Sequence, residues 1–420
     1  MNRRWYRGIV LVAVLVAVAF AMRVWLSSSR VVDSEPEEEV AAELTLQTVT
    51  LEQPDEEGVL LWRLKAETVN YLPDTERAEL LNLEGEFFQA GEVIYTVTAD
   101  EGEVQQNGEI LFLRGNLLAT GIEDELTLEG ERLKWVPKED LLVMGDFEEA
   151  SGEVADEASE RLSAVEARPF ETPSDSGETP DAAVRGANPQ LDAIAQVVTV
   201  KNKENRVDFT GGVVAKSKET PWLTFESDAL SWFTKREEIE ANQPVVVENF
   251  ETNTFEQVTE RLSGQSGFVD LAENMVTLEN AVRFDVLDQP LILQGEQAVW
   301  DVDSQLVTMD QPVNIAQPAR RVTATSNRAS LDLAQEVIYL TGDVRAVGEE
   351  NDSRLAADEV TWKTTTQDVE ATGDVRYQQA ADPEISMAGT RAVGNIETGT
   401  LVVTGGESGD VFTEIVPDDF

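Results

Sequence analysis

The chain has 420 residues, 41% of them apolar, with 81 acidic and 32 basic side chains and a net charge of −49. That charge disfavours binding to nucleic acid or to an anionic membrane face, and it fits a solvated outer surface. There is no Cys and no His, which excludes disulfides, thiolate or imidazole metal sites, a lipidated Cys, and Ser-His-Asp or Cys-His catalysis.

Residues 1–7 are basic and carry Trp5 and Tyr6. An apolar run follows from Ile9 to Met22, is interrupted by Arg23, and continues through Leu26. Residues 8–26 come close to the ~20 needed to span a bilayer, and Arg23 can snorkel to the far interface. Arg3, Arg4 and Arg7 place the N-terminus on the cytoplasmic side. Ala19-Phe20-Ala21 also matches a signal-peptide cleavage site, but apolar residues run past it, which favours a retained anchor. Either way the rest of the chain is exported, into the periplasm if the segment is an inner-membrane anchor. Residues 27–43, rich in Ser and Glu, read as a flexible stalk.

From Leu44 a ladder begins. A small residue recurs at Ala66, Ala99, Gly130, Ala195, Ser227, Gly264, Gly295, Ser326, Ala357 and Gly389, with Ser163 on the same ladder. The steps are about 31 to 33 residues, apart from one of 37 between Ser227 and Gly264. A second marker follows about sixteen residues behind: Gly85, Gly115, Gly145, Gly211, Asn242, Asn280, Gln311, Gly342, Gly373 and Gly405. Two markers in phase signal a repeat whose units bury their apolar faces only by stacking. The first block, residues 44–165, holds three complete units. Residues 166–190, dominated by Pro, Ser, Gly and acids, read as a linker or long loop. A second block runs over residues 191–405, and the tail, 406–420, is expected to fray.

Each unit reads as an outgoing strand, a polar turn and a return strand. On the return strand, positions four and two before the marker and two after it are apolar, as in Leu81, Leu83 and Phe87, the period of a half-buried strand. The unit at Asn242 departs, with Glu238 and Glu240 at those positions, so a register slip is expected there. On the outgoing strand the apolar residues lie two before the small residue (Leu64, Val97, Leu128) and five after it (Tyr71, Val104, Trp135). Those two phases do not share one face of a regular strand, so a bulge or corner is expected just past the small residue. The fold class predicted is all-β: stacked bent hairpins forming two facing sheets behind one N-terminal transmembrane helix. Trp135, Trp232, Trp300 and Trp362 fall in one phase and project between the sheets, either as ordinary core or as the lining of an apolar trough. The open ends of the stack suit pairing with a partner's sheet.

The anchor, the stalk, the stretch Trp62-Arg63-Leu64-Lys65-Ala66 followed by Tyr71, and the turn–strand units behind it resemble the LptC family, the bitopic component of the lipopolysaccharide-export bridge. That resemblance covers residues 1–165, and residues 190–405 resemble the related OstA/LptA-type repeat. It implies a β-jellyroll or β-taco fold and binding of lipopolysaccharide acyl chains in the apolar interior. The partners implied are the permease subunits of an inner-membrane ABC transporter and an LptA/OstA-like bridge or outer-membrane assembly protein, joined edge to edge. Carried onto this chain, the lipid contacts are Leu64, Tyr71, Leu81, Leu83, Val97, Val104, Leu111, Leu113, Leu128 and Trp135. No cofactor, metal or catalytic residue is implied.

Two rival readings remain. A repetitive polysaccharide hydrolase or lyase could use a carboxylate pair, but the acids fall mainly in turns and at outward positions. An anchored β-solenoid scaffold or adhesin with a closed core differs only in whether its inward rows touch lipid.

Overall fold

The computed structural model describes residues 44–72, 77–105, 108–122, 125–147, 183–288, 290–350, 352–380 and 384–405, and the backbone of 412–416. The anchor and stalk read from the sequence, residues 1–26 and 27–43, lie outside these, as does Ser163. Among the described residues no helix is long and apolar enough to cross a membrane. The structure is nearly all β, with strands joined by turns and short 3-10 segments.

In chain order the strands of the first block are β1 (Leu44–Pro54), β2 (Leu60–Leu72), β3 (Arg77–Gln89), β4 (Glu92–Gln105), β5 (Ile110–Gly121), β6 (Thr127–Val136) and β7 (Leu141–Gly145). Then come β8 (Val184–Ala187), β9 (Leu191–Ala195), β10 (Val197–Lys201), β11 (Arg206–Ser217), β12 (Trp222–Phe233), β13 (Glu238–Ala241), β14 (Val245–Phe250), β15 (Val258–Gly264), β16 (Ser266–Asp270), β17 (Met275–Val286) and β18 (Leu291–Asp301). The last are β19 (Leu306–Met309), β20 (Val313–Gln317), β21 (Val322–Ser326), β22 (Arg328–Asp332), β23 (Val337–Gly348), β24 (Ser353–Lys363), β25 (Asp368–Gln379), β26 (Glu384–Asn395), β27 (Thr400–Thr404) and β28 (Phe412–Val416). Neighbours pair antiparallel, each outgoing strand with the return strand before it and the one after it.

The expected corner is present, but its extra residue sits on the return strand, and the first hairpin has none, the single Asn82 opposing Glu67 and Asp100. Gly211 and Gly212 oppose the single Asp228, Asn280 and Ala281 oppose Glu296, and Gly342 and Asp343 oppose Asp358. All six of these return-strand residues have positive φ, which glycine adopts freely and Asn or Asp tolerate. Two residues against one is a β-bulge, and it bends the ladder sharply. The outgoing residue at the bend is polar and exposed in unit after unit: Glu67, Asp100, Glu131, Asp228, Glu296, Asp358. Part of the chain's acidity therefore lines this outer corner.

The bend folds each hairpin back on itself. The Trp62 indole N–H donates to the Gly108 carbonyl at 2.9 Å. Trp62 is level with Phe87 and Tyr95, at the far end of β4 from Gly108. Straight strands would hold these levels roughly 40 Å apart at ~3.3 Å per residue, so this hydrogen bond requires two half-sheets that face each other. Gln89 Nε2 to Asp140 Oδ1, 3.1 Å, makes the same crossing. Asp140 is buried and left-handed, closes the 3-10 turn Pro137–Glu139, and also accepts from the Lys203 backbone N–H at 2.5 Å. It thereby ties the end of β3 to the turns at Pro137–Asp140 and Asn202–Asn205. Turns at the strand ends also use Asp acceptors: Asp270, Asp301 and Asp332 each take a backbone N–H two or three residues on, the Asx-turn chemistry of short loops.

Three expectations need correction. The segment 166–190 is not wholly linker, because Val184–Ala187 is a strand, β8, whose Val184 and Gly186 face inward. It pairs with β6 at Thr127–Glu129, while β7 pairs with both β6 and β10. Strands β7 and β8 thus share one return strand, interrupted at the corner residue Gly145, and the ladder passes from one block to the next without a break in pairing. The tail does not simply fray, since Phe412–Val416 pairs with Glu384–Ala388 of β26. Leu81 is the third case and is treated with the site. The long 37-residue step has a local cause. Its extra residues form the loop between β14 and β15, which brings Phe255 against Phe250 and Trp222 at 5.2 and 6.3 Å. In the same unit Ile239 and Ala241 are buried while Glu238 and Glu240 are not, the register slip expected at Asn242.

Candidate functional site

The candidate site is the interior between the half-sheets. One continuous apolar cluster runs from Trp62 to Val403. Leu64, Leu83, Val97, Val104, Leu111, Leu113, Leu128 and Trp135 all lie in it, each 8% exposed or less. Tyr71 and Leu81 do not: they are 40% and 46% exposed. Tyr71 shares the phase of the buried Val69 but stands at the strand's end, opposite Leu44 of the edge strand β1. Leu81 is displaced by the corner itself. In this unit the positive-φ residue is Asn82 rather than Gly85, so the inward row passes through Leu80, 1% exposed, instead. Gly85 fills a different need: a Cβ there would stand 2.5 Å from Leu64 Cδ2.

Large wholly buried side chains occur along the whole stack, from Leu64, Phe87 and Trp135 to Leu262, Phe284 and Ile338. Leu111, Leu113, Leu128, Leu133 and Trp135 are buried between the half-sheets of the first block, and Phe87 stacks on Trp135. Toward the C-terminus Ala324 and Ala346 stand among larger inward residues such as Leu340, Val344 and Trp362. A cavity of about 400 Å³ opens there, lined from both half-sheets by Val322, Val344, Leu355, Val360, Trp362 and Leu401 among others, with Arg320 and Glu397 at its margin. Tyr377 also lines it, and burial pushes its phenol above the ordinary range.

The four tryptophans of one phase share a further property. The indole N–H groups of Trp135, Trp232, Trp300 and Trp362 are buried without an acceptor in the protein, whereas Trp62 has Gly108. A buried donor left unpaired is costly and uncommon, and here it recurs in register with the repeat. Among the described residues no cluster of carboxylates is arranged to hold a metal ion.

Two segments of the chain, residues 10–147 and 317–406, match the family described as lipopolysaccharide-assembly, LptC-related. Together they make up just over half of the sequence. The chain belongs to the LptC-related family. No curated protein matches it. LptC-related proteins serve the lipopolysaccharide transport bridge in the cell envelope and are not known as enzymes. The second matched region falls within the block compared above with OstA/LptA-type repeats, so LptC-related sequence lies in both blocks. The residues that line the cavity, Arg320 to Leu401, all fall within that second segment. The first segment contains the stacked Phe87 and Trp135 and the buried leucines around them. Sequence reasoning placed the lipid contacts in the first segment and missed the cavity.

Proposed function

We propose that this protein is an inner-membrane-anchored, periplasmic component of the lipopolysaccharide bridge, with a β-taco fold that carries acyl chains between its half-sheets. It receives lipid from the permease subunits of an ABC transporter. It delivers lipid toward the outer membrane through a partner of the same fold, joined edge to edge at β1 or at β27 and β28. The carrying observation is the single apolar interior that continues across both blocks and opens into a cavity near its C-terminal end. The second block lengthens the bridge. The contacts in the first block are Leu64, Leu83, Val97, Val104, Leu111, Leu113, Leu128 and Trp135, reached when the half-sheets part.

The buried side chains and the stacked Phe87 and Trp135 of the first segment favour a second reading, a closed-core scaffold. Photo-crosslinking residues at Leu113, Trp135 and Leu355 in living cells, with Lys134 as the control on the other face, separate the two. Lipopolysaccharide adducts at the inward sites alone support carriage. A folded, well-expressed protein with no adduct at any inward site supports the scaffold.

A further inference from the structure

The cavity differs from the rest of the interior at its margin. Arg320 ends the 3-10 turn Pro318–Arg320 on one side, and Glu397 stands in the turn between β26 and β27 on the other. Their side chains meet at 3.4 Å and are 39% and 59% exposed. An ion pair this exposed is weak in water and readily exchanged. Arg320 is the only cation among the lining residues, whose other charges are Glu350 and Glu397. In a chain of net charge −49, a lone guanidinium beside an apolar cavity is a selective feature. Guanidinium forms paired, charge-assisted hydrogen bonds with carboxylate and phosphate alike. The lining includes the aliphatic Val322, Leu340, Val344, Leu355, Val360 and Leu401, and the Trp362 N–H has no protein acceptor. At about 400 Å³ the space lies toward the lower end of ligand pockets, roughly 300–1,000 Å³. It suits a single alkyl chain rather than the several chains of a whole lipid.

We propose that this cavity binds one alkyl chain of an anionic amphiphile, whose carboxylate or phosphate displaces Glu397 from Arg320. The proposal rests on the reading that the interior takes acyl chains. It adds a selectivity element, Arg320 and Glu397, outside the first block.

The test is calorimetry on the full-length chain held in a non-ionic amphipol, with dodecyl phosphate, dodecanoate, dodecyl maltoside and inorganic phosphate as probes. Both anionic amphiphiles are expected to bind, the neutral maltoside about tenfold more weakly, and inorganic phosphate not measurably. Arg320→Gln is expected to remove about tenfold in affinity for the anionic probes only, the worth of a charge-assisted contact. Glu397→Gln is expected to tighten them by freeing Arg320. A brominated dodecanoate is expected to quench tryptophan emission, with the quench largely lost in Trp362→Phe. Equal affinity of Arg320→Gln for all probes, binding of inorganic phosphate alone, or undiminished quenching in Trp362→Phe would each overturn the proposal. Cavity filling by Ala346→Phe is a further check, read only if its thermal unfolding matches the parent's. The two readings fail separately: adducts at Leu113 without amphiphile binding at Arg320 sink only this proposal, and the reverse result sinks only the first-block contacts.

Discussion

The rings of Phe87 and Trp135 lie stacked across the interior, centroids 5.3 Å apart and planes 9° from parallel. Phe87 comes from the half-sheet on one side of the corner and Trp135 from the other, so this contact reports directly on closure. Trp135 is 1% exposed, and Trp135→Ala is expected to cost about 3–5 kcal/mol through lost burial and a residual cavity. Trp135→Phe retains an aromatic pair and is expected to cost clearly less. Urea unfolding of both variants measures this. A cost under about 1 kcal/mol for the alanine variant would mean that the half-sheets already stand apart in solution.

Asp140 gathers Gln89, Asn202 and the Lys203 backbone N–H around one buried carboxylate. Asp140→Asn keeps the left-handed turn but weakens the charge-assisted bonds, an expected loss of about 1–2 kcal/mol. Asp140→Leu strands three donors and is expected to lose more. Hydrogen exchange at the Lys203 amide should rise in both variants. Unchanged protection there would exclude Asp140 as the tie between turns.

Gly145 has φ of 117°, and a Cβ on it would sit 2.1 Å from the Gln196 carbonyl oxygen. It stands where β7 pairs with β10 and joins the blocks. Gly145→Ala is therefore expected to destabilise by about 1–3 kcal/mol. New proteolytic sensitivity should appear between β7 and β10. Parent-like resistance to protease would show that the junction accommodates a side chain.

Burial, and then the neighbouring Glu248, hold the Glu226 carboxyl above its ordinary range, with Arg261 and Lys216 opposing. An acid whose folded pKa is raised binds its proton more tightly when folded. Its contribution to stability is thus greatest below the unfolded pKa and falls as pH rises through the folded value. Glu226→Gln is expected to raise the melting temperature at pH 7, with the gain vanishing in acid below the ordinary carboxylate range. A gain of equal size at both pH values would point to packing instead.

The repeat, the corner and most inward rows were legible in the sequence because a bent hairpin needs a small residue and a phase change at fixed places. What misled was equivalence by spacing. Gly85 keeps the ladder's period, yet Asn82 carries the positive φ, and that displacement put Leu81 outside and Leu80 inside. The strand Val184–Ala187 was hidden by the Pro- and acid-rich stretch before it, since four residues of alternating burial give too short a pattern to read. The cavity was hidden for another reason: its lining residues, Val322, Leu340, Val344, Leu355 and Trp362 among them, satisfy the same apolar pattern as a filled core. Only volumes, added across facing strands, distinguish a filled interior from an open one.

Pairing between strands follows chain order, so every new strand finds its partner already in place as synthesis proceeds. Energetics of that kind are close to a sum over neighbouring units. Gain or loss of one hairpin pair then leaves the remaining contacts intact, which makes the number of units, and with it the reach of the protein, adjustable by duplication or deletion without redesign of a shared centre.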